Sequence, residues 1–183
     1  MEIAMQTHRL KIRRFTSDDW QDLYDYLSDE EIVRFEPYSV FSEAQAKEEA
    51  KRRAGDDAFW AVCLKKEHKL IGNLYFCRQE PEAFRTWELG YVFNRAYGAK
   101  GYATESAKRL LQYGFEVCNA HRIQAYCDPR NTASWRLLER LHMRREGHFI
   151  QQTYFICDAQ GNPLWHDTYG YAIWADEWFA GLG

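Results

Sequence analysis

A mixed α/β domain is the fold class this sequence predicts, and three observations carry it. Short runs with apolar residues at every second position interleave with longer runs whose apolar residues recur every third or fourth position. One strand-like run passes through a glycine turn into a helical run and then into another strand, the pattern of a right-handed parallel crossover. The 183 residues are 46% hydrophobic and 16% aromatic, with no internal repeat, low-complexity tract or Pro/Gly/Ser linker. That predicts one domain over residues 1–183 with a sizeable core.

The elements follow in order. "RLKIRRF" (9–15) alternates as a strand. "TSDDWQDLYDYLSDEE" (16–31) reads as one helix, because Trp20, Leu23, Tyr24 and Leu27 fall at i, i+3, i+4 and i+7. "SEAQ" (42–45) is a Ser-x-x-Gln capping box opening a second helix that Gly55 closes. Its Glu43/Lys47 and Glu48/Arg52 pairs mark a solvated face. "FWAVCLK" and "KLIGNLYFC", joined by the polar "KEHK", form an antiparallel hairpin. "FRTWELGYVF" (84–93) is the next strand, followed by a glycine loop and a helix whose inward stripe is Ala103, Ala107, Leu110, Leu111 and Gly114. "RIQAYC" (122–127) is a strand and "NTASWRLLERL" (131–141) a helix. Two last strands, roughly 148–157 and 164–174, flank the turn "DAQGNP".

Composition excludes several classes. The net charge of -3 leaves no basic field to hold nucleic acid. No apolar run approaches the length of a membrane span, and "MEIAMQTHRLKIRRF" lacks the regions of a signal peptide, so the expected compartment is the cytoplasm. Cys63, Cys77, Cys118, Cys127 and Cys157 are odd in number and contain no C-x-x-C, which predicts reduced, mostly buried thiols. The six histidines are scattered, and no metal site is expected.

Strand, glycine turn and helix together commonly build an anion site. The first-turn N–H groups lack intrahelical partners and the helix dipole is positive there. Gly98 and Gly101 let the backbone approach a phosphate, Lys100 adds charge between them, and Arg95 lies upstream. The spacing is neither G-x-x-x-x-G-K-[ST] nor G-x-G-x-x-G, so a tight βα turn that merely needs glycine stands as the other reading.

The wider sequence resembles the GNAT superfamily of N-acetyltransferases, in its RimJ/RimL-like branch. "WELGYVFNRAYGAKGYATESAKRLL" (87–111) is similar to the family's central signature, and "NTASWRLLERLHMRREG" (131–147) to its second. "LKIRRFTSDDW" and "WHDTYGYAIWADEW" resemble the branch's first and last segments, so the likeness covers nearly the whole chain. Two departures stand out: Gly98 occupies the loop position where Gln or Arg is usual, and "LHM" (141–143) replaces L-G-F. The resemblance implies a mostly antiparallel central sheet with a splayed parallel pair, flanked by helices. It also implies acetyl-CoA as cosubstrate, with no metal.

By that resemblance the cofactor pyrophosphate would rest on Gly98, Ala99, Lys100, Gly101, Tyr102 and Ala103. The pantetheine arm would pair with the backbone of Tyr91, Val92 and Phe93, and Asn131 would hydrogen-bond its amide. A neutral amine then attacks the thioester carbonyl, which requires a base or water relay, donors for the developing oxyanion, and a proton for the leaving sulfur. Glu88 is the first candidate base, sharing one strand face with Gly90 and Val92. Ser134 is the candidate acid, on the inward stripe with Asn131, Leu137, Leu138 and Leu141. Asp128 and Asp167 are substitutes for the base, whereas Glu105 answers its helix dipole.

The acceptor implied by the resemblance is a primary amine, either the α-amino group of a protein N-terminus or a small cationic amine such as a polyamine or aminoglycoside. Asp18, Asp22, Asp25 and Asp29 recur along one helix face and suit a cation, although such a run is usually a solvated surface. The connector "RFEPYSVFS" (34–42) is the better place for acceptor selection. A third reading is a non-catalytic acyl-CoA-binding sensor. Both monomer and homodimer are compatible with the sequence.

Overall fold

The computed structural model of the chain describes residues 4–182. Its elements are β1 (Met5–Gln6), β2 (Leu10–Arg13), α1 (Trp20–Leu27), α2 (Glu30–Val33), α3 (Glu43–Ala54), β3 (Phe59–Leu64) and β4 (Leu70–Arg78). There follow β5 (Thr86–Phe93), α4 (Tyr102–Glu116), β6 (Arg122–Cys127), α5 (Thr132–Arg140), β7 (Arg144–Cys157), β8 (Pro163–Trp174) and a short α6 (Ala175–Glu177). The strands form one sheet in the order β1-β2-β3-β4-β5-β6-β8-β7. Every pairing is antiparallel except β5 with β6, which α4 connects.

Period-two alternation divides the core between the two sheet faces. Trp60, Val62 and Leu64 of β3 join Leu89, Leu110 and Leu138 in one cluster, which contains the buried apolar side chains of α4 and α5. Ala61 and Cys63, the intervening positions, join Leu23, Tyr26, Leu27 and Val92 in the other, beneath α1 and α3. In β5 this alternation puts Val92 on the α1/α3 side, whereas Leu89, with Tyr91 and Phe93 packed beside it, faces the α4 side.

The stretch read as one helix over 16–31 is broken. Residues 17–19 are a 3-10 turn before α1, and α2 is separate. Asp29 makes the break: it is extended (φ -92°, ψ 115°) and its carboxylate accepts from the Glu31 N–H, so a residue taken for a helix surface is an N-cap. Within α1, Tyr26 is buried in place of Tyr24, and its hydroxyl donates to Asn73 Oδ1 at 2.8 Å.

The Ser42 capping box forms as expected, with the Gln45 N–H donating to Ser42 Oγ and the Ser42 N–H to Gln45 Oε1. On α3 the Glu43–Lys47 pair forms at 2.5 Å, but Arg52 turns to Glu49 and Asp56 instead of Glu48. Glu43, Lys47, Glu48 and Arg52 are all exposed, as a solvated face requires, whereas Arg53, 2% exposed, is buried on the inward side with Ala46 and Ala50. Of the cysteines only Cys63 and Cys127 are buried, fewer than expected, and all five are free thiols.

The turn after α5 is a Schellman motif. Met143 N–H donates to Leu138 O and His142 N–H to Glu139 O, which places His142 at the left-handed position with φ 60°. This is the departure seen at "LHM", and only glycine sits there without steric cost. His142→Gly is therefore expected to raise unfolding stability by about 1 kcal/mol in urea titration, with an unchanged m-value.

The strand expected over 148–157 starts earlier, at Arg144, and β7 with β8 forms a long hairpin. Ile150, Ile156 and Trp165 are exposed on it. Among the described residues, no helix is long and apolar enough to cross a membrane.

Candidate active site

The site begins where the parallel pair stops. β5 and β6 are in register at Thr86–Arg122, Trp87–Ile123 and Glu88–Gln124, and the pairing ends there. From Leu89 to Phe93, β5 offers backbone groups to a gap. A cavity of about 600 Å³ opens beside it. Its lining includes Glu88 and Gly90 together with Leu89 and Tyr91, residues from opposite sheet faces that can share one space because the strands part. Asn131 and Ser134 enter from α5, while Phe35, Glu36, Pro37, Tyr38 and Phe41 enter from the connector marked for acceptor selection.

Glu88 is half-buried, and burial pushes its carboxyl above the usual carboxylate range, with the Gln124 side chain pulling the other way. Ser134 lies at the start of α5, and its hydroxyl pairs with the Tyr91 phenol at 2.8 Å. The phenol also donates to the Ser134 carbonyl at 3.0 Å. Burial raises the Tyr91 phenol pKa, so it stays protonated at neutral pH. Ser134 is thus one half of a hydroxyl pair. Asn131 caps α5 by accepting from the Ser134 N–H at 3.1 Å through its side-chain oxygen, which leaves its amide N–H groups available to donate.

The two substitutes for the base fare differently from Glu88. Asp128 lines the cavity, but Arg130 holds it at 2.6 Å and keeps its carboxyl below the usual range. Asp167 lies outside this cavity, where the Gln151 N–H and His148 at 2.9 Å depress it too. A strongly acidic carboxyl is a weak proton acceptor at neutral pH. The sequence reading missed Glu36, whose carboxyl burial pushes up to about 7, and Arg53 and Asn73, which also line the cavity. The visible signals were an asparagine inside the apolar run "KLIGNLYFC" and an Arg-Arg pair closing a short helix.

Residues 98–101 form the turn into α4 and Tyr102 and Ala103 begin the helix, away from the cavity lining. Its left-handed positions are Ala99 (φ 57°) and Gly101 (φ 79°). Gly98 has φ -63°, so its smallness serves close packing: a Cβ there would meet Arg95 O at 3.0 Å. No side chain caps α4, so its first-turn N–H groups remain open to an anion. Lys100 is exposed, whereas Arg95 is drawn to Asp29 at 3.7 Å.

Glu105 does more than answer a dipole. It accepts from Thr7 Oγ1 at 2.5 Å, the Arg9 N–H at 3.0 Å and Arg9 Nε at 2.7 Å. Arg9 Nη1 in turn donates to Lys100 O at 2.9 Å, which staples the turn to the N-terminal segment.

The acidic run has internal partners as well. Lys69 Nζ bridges Asp22 at 2.6 Å and Asp25 at 2.5 Å, the Leu70 N–H donates to Asp22, and Asp29 is the cap described above.

A parallel pair that parts beside a cavity, followed by an uncapped glycine turn into a helix, is the architecture of an acyl-CoA-dependent acyltransferase. Residues 9–144 match the acetyltransferase (GNAT) domain, and the chain belongs to that family of acetyl-CoA-dependent N-acetyltransferases. It is 43% identical over 173 residues to the uncharacterized N-acetyltransferase YnaD of Bacillus subtilis, covering 94% of this chain and 97% of that one. The crystal structure of a GNAT-family acetyltransferase from Bacillus anthracis matches at TM-score 0.85 and 38% identity, covering 96% of this chain and all of that one. The [Ribosomal protein uS5]-alanine N-acetyltransferase of Escherichia coli is 26% identical over 190 residues (98% of this chain, 95% of that one), in line with the RimJ/RimL-like branch.

Proposed function

We propose that this enzyme acetylates the α-amino group of a protein N-terminus. The observation that carries the reading is the meeting of a carboxyl of raised pKa, Glu88, with the Tyr91–Ser134 hydroxyl pair in one cavity. An α-amine, with a pKa of about 7.7–8.0, reaches its neutral form near physiological pH far more readily than a lysine side chain at about 10.4. The similarity to an enzyme that acts on an alanine of uS5 supports the same class. The acidic run, the main feature favouring a polyamine, is largely engaged with Lys69 and the α2 cap.

Acetyl-CoA, when bound, supplies the activated acetyl group. The open N–H groups at residues 101–103 would hold its pyrophosphate, and the unpaired edge of Tyr91, Val92 and Phe93 its pantetheine arm. The Asn131 amide would donate to that arm. Glu88 takes the amine proton, directly or through one water, and the Ser134 hydroxyl, backed by the Tyr91 phenol, returns a proton at the sulfur.

Asn131→Asp keeps a good N-cap but replaces a donor with an acceptor. It is expected to raise the acetyl-CoA KM about tenfold at unchanged Tm, whereas Asn131→Ala also loses about 1 kcal/mol of stability. An acetyl-CoA KM unaffected in both variants would remove Asn131 from the cofactor site.

The test of the acceptor follows CoA thiol release against N-terminal peptides, the same peptides blocked at the N-terminus, polyamines and aminoglycosides. Turnover on free but not blocked peptides is the expected result. Turnover on polyamines or aminoglycosides alone would transfer the assignment to a small-molecule acceptor, and acetyl-CoA binding with no turnover would favour a sensor.

A further inference from the structure

Arg53 lines the cavity, has no part in the proposed chemistry, and is only partly satisfied by the fold. It closes α3 and is 2% exposed, among the largest fully buried side chains of the protein. Burying a guanidinium is costly unless its N–H donors are paired. Nε is satisfied by Glu49 Oε1 at 2.7 Å, and the ring of Phe59 lies 4.6 Å from the guanidinium carbon. Nη1, however, is buried with no hydrogen-bond partner.

The nearby carboxylates do not resolve this. Glu49 divides its two oxygens between Arg53 and Arg52, which binds both at 2.8 Å. Glu36 lines the same cavity but forms no ion pair with Arg53 among the described residues. The Tyr26 hydroxyl donates to Asn73 Oδ1, and although the Tyr26 and Tyr38 phenols lie close to the Arg53 guanidinium, neither meets Nη1 at hydrogen-bond geometry. Arg53, which carries this buried and unpaired donor, is one of the side chains lining the cavity in which Glu88 and Ser134 meet.

We infer that Arg53 receives a carboxylate of the acceptor, so that the preferred substrate is a primary amine with a carboxylate close to it. The inference rests on the N-acetyltransferase reading of this cavity and narrows its acceptor. A carboxylate presents two oxygens to a planar guanidinium and brings the charge that a peptide carbonyl lacks, which makes it the better partner at a desolvated site. Two sources share this chemistry: the α-carboxylate of a free amino acid and the acidic side chain of an N-terminal Asp or Glu.

The experiment compares acceptors that differ in that group alone. Free amino acids are set against their amides, and peptides beginning with Asp or Glu against those beginning with Asn or Gln. In the wild-type enzyme the acid of one pair is expected to have a kcat/KM about tenfold or more above its amide, carried by KM. The pair that shows it identifies the source. In Arg53→Gln the ratio falls towards one while the acetyl-CoA KM holds, and Arg53→Lys retains part of it.

The wild-type comparison stands even if the variants fail to fold. Equal or better use of the amides in both pairs overturns the inference, as does a full preference surviving in Arg53→Gln. Acetylation of amides and polyamines alike would leave the transferase reading intact and remove only the carboxylate. Should turnover be absent, titration calorimetry of N-acetylated acid and amide products with CoA present reads the same ratio.

Discussion

Glu88→Gln is expected to lower kcat about 100-fold or more while leaving acetyl-CoA affinity within about twofold, the signature of a lost proton acceptor. The amide is nearly isosteric and keeps a hydrogen-bonding partner for Gln124, so the sheet register at Glu88–Gln124 should survive. The pH profile makes the assignment specific. A base must be ionised, so activity is lost as pH falls through its pKa, and burial moves that limb above the usual carboxylate range. The acid limb should vanish from the remaining activity of Glu88→Gln. Glu36, pushed up to about 7, is the other carboxyl able to produce such a limb. If the limb persists in Glu88→Gln and disappears in Glu36→Gln, the base is Glu36.

Glu105→Ala is expected to destabilise the fold by about 2 kcal/mol, because three donors lose a charged acceptor at once. Its folded-state carboxyl lies below the ordinary range, held there by Thr7 and Arg9 against the opposing effect of burial. The sign follows from linkage. With the folded pKa depressed, the stabilisation is complete above the unfolded value of about 4.3 and is lost as pH falls through the folded one. Urea titrations at pH 7 and at pH 3 should therefore show the wild-type and Glu105→Ala curves converging on acidification. The staple also bears on the cofactor turn, since Arg9 holds Lys100 O. A weaker acetyl-CoA affinity should accompany the stability loss, and an unchanged stability would show that the staple carries no energy.

Local signals were legible where one element suffices to express them. The Ser42 box, the stripe of α4 and the alternation of β2 are each satisfied within a single segment, by hydrogen bonds or periodicity that short-range spacing encodes. The Asp29 break escaped this reading because an N-cap and a mid-helix aspartate look alike until the backbone turns. Asp22 and Asp25 read as solvated because their partner, Lys69, is more than forty positions away. Glu105 was legible as a first-turn carboxylate, yet its partners Thr7 and Arg9 are about a hundred residues distant.

The sequence by itself determined the fold class, the order of strands and helices around the crossover, and the motifs that place the chain in its family. Periodicity, caps and glycine turns are local and act before any long-range contact forms. What only the tertiary structure decided is the composition of the cavity. Glu88 and Ser134 were candidates on separate elements, and the parting of β5 from β6 brings them into one space with Glu36 and Arg53. The burial that raises Glu88 and Glu36, and that leaves Arg53 Nη1 unpaired, is a property of packed neighbours drawn from the whole chain, which no single stretch of residues contains.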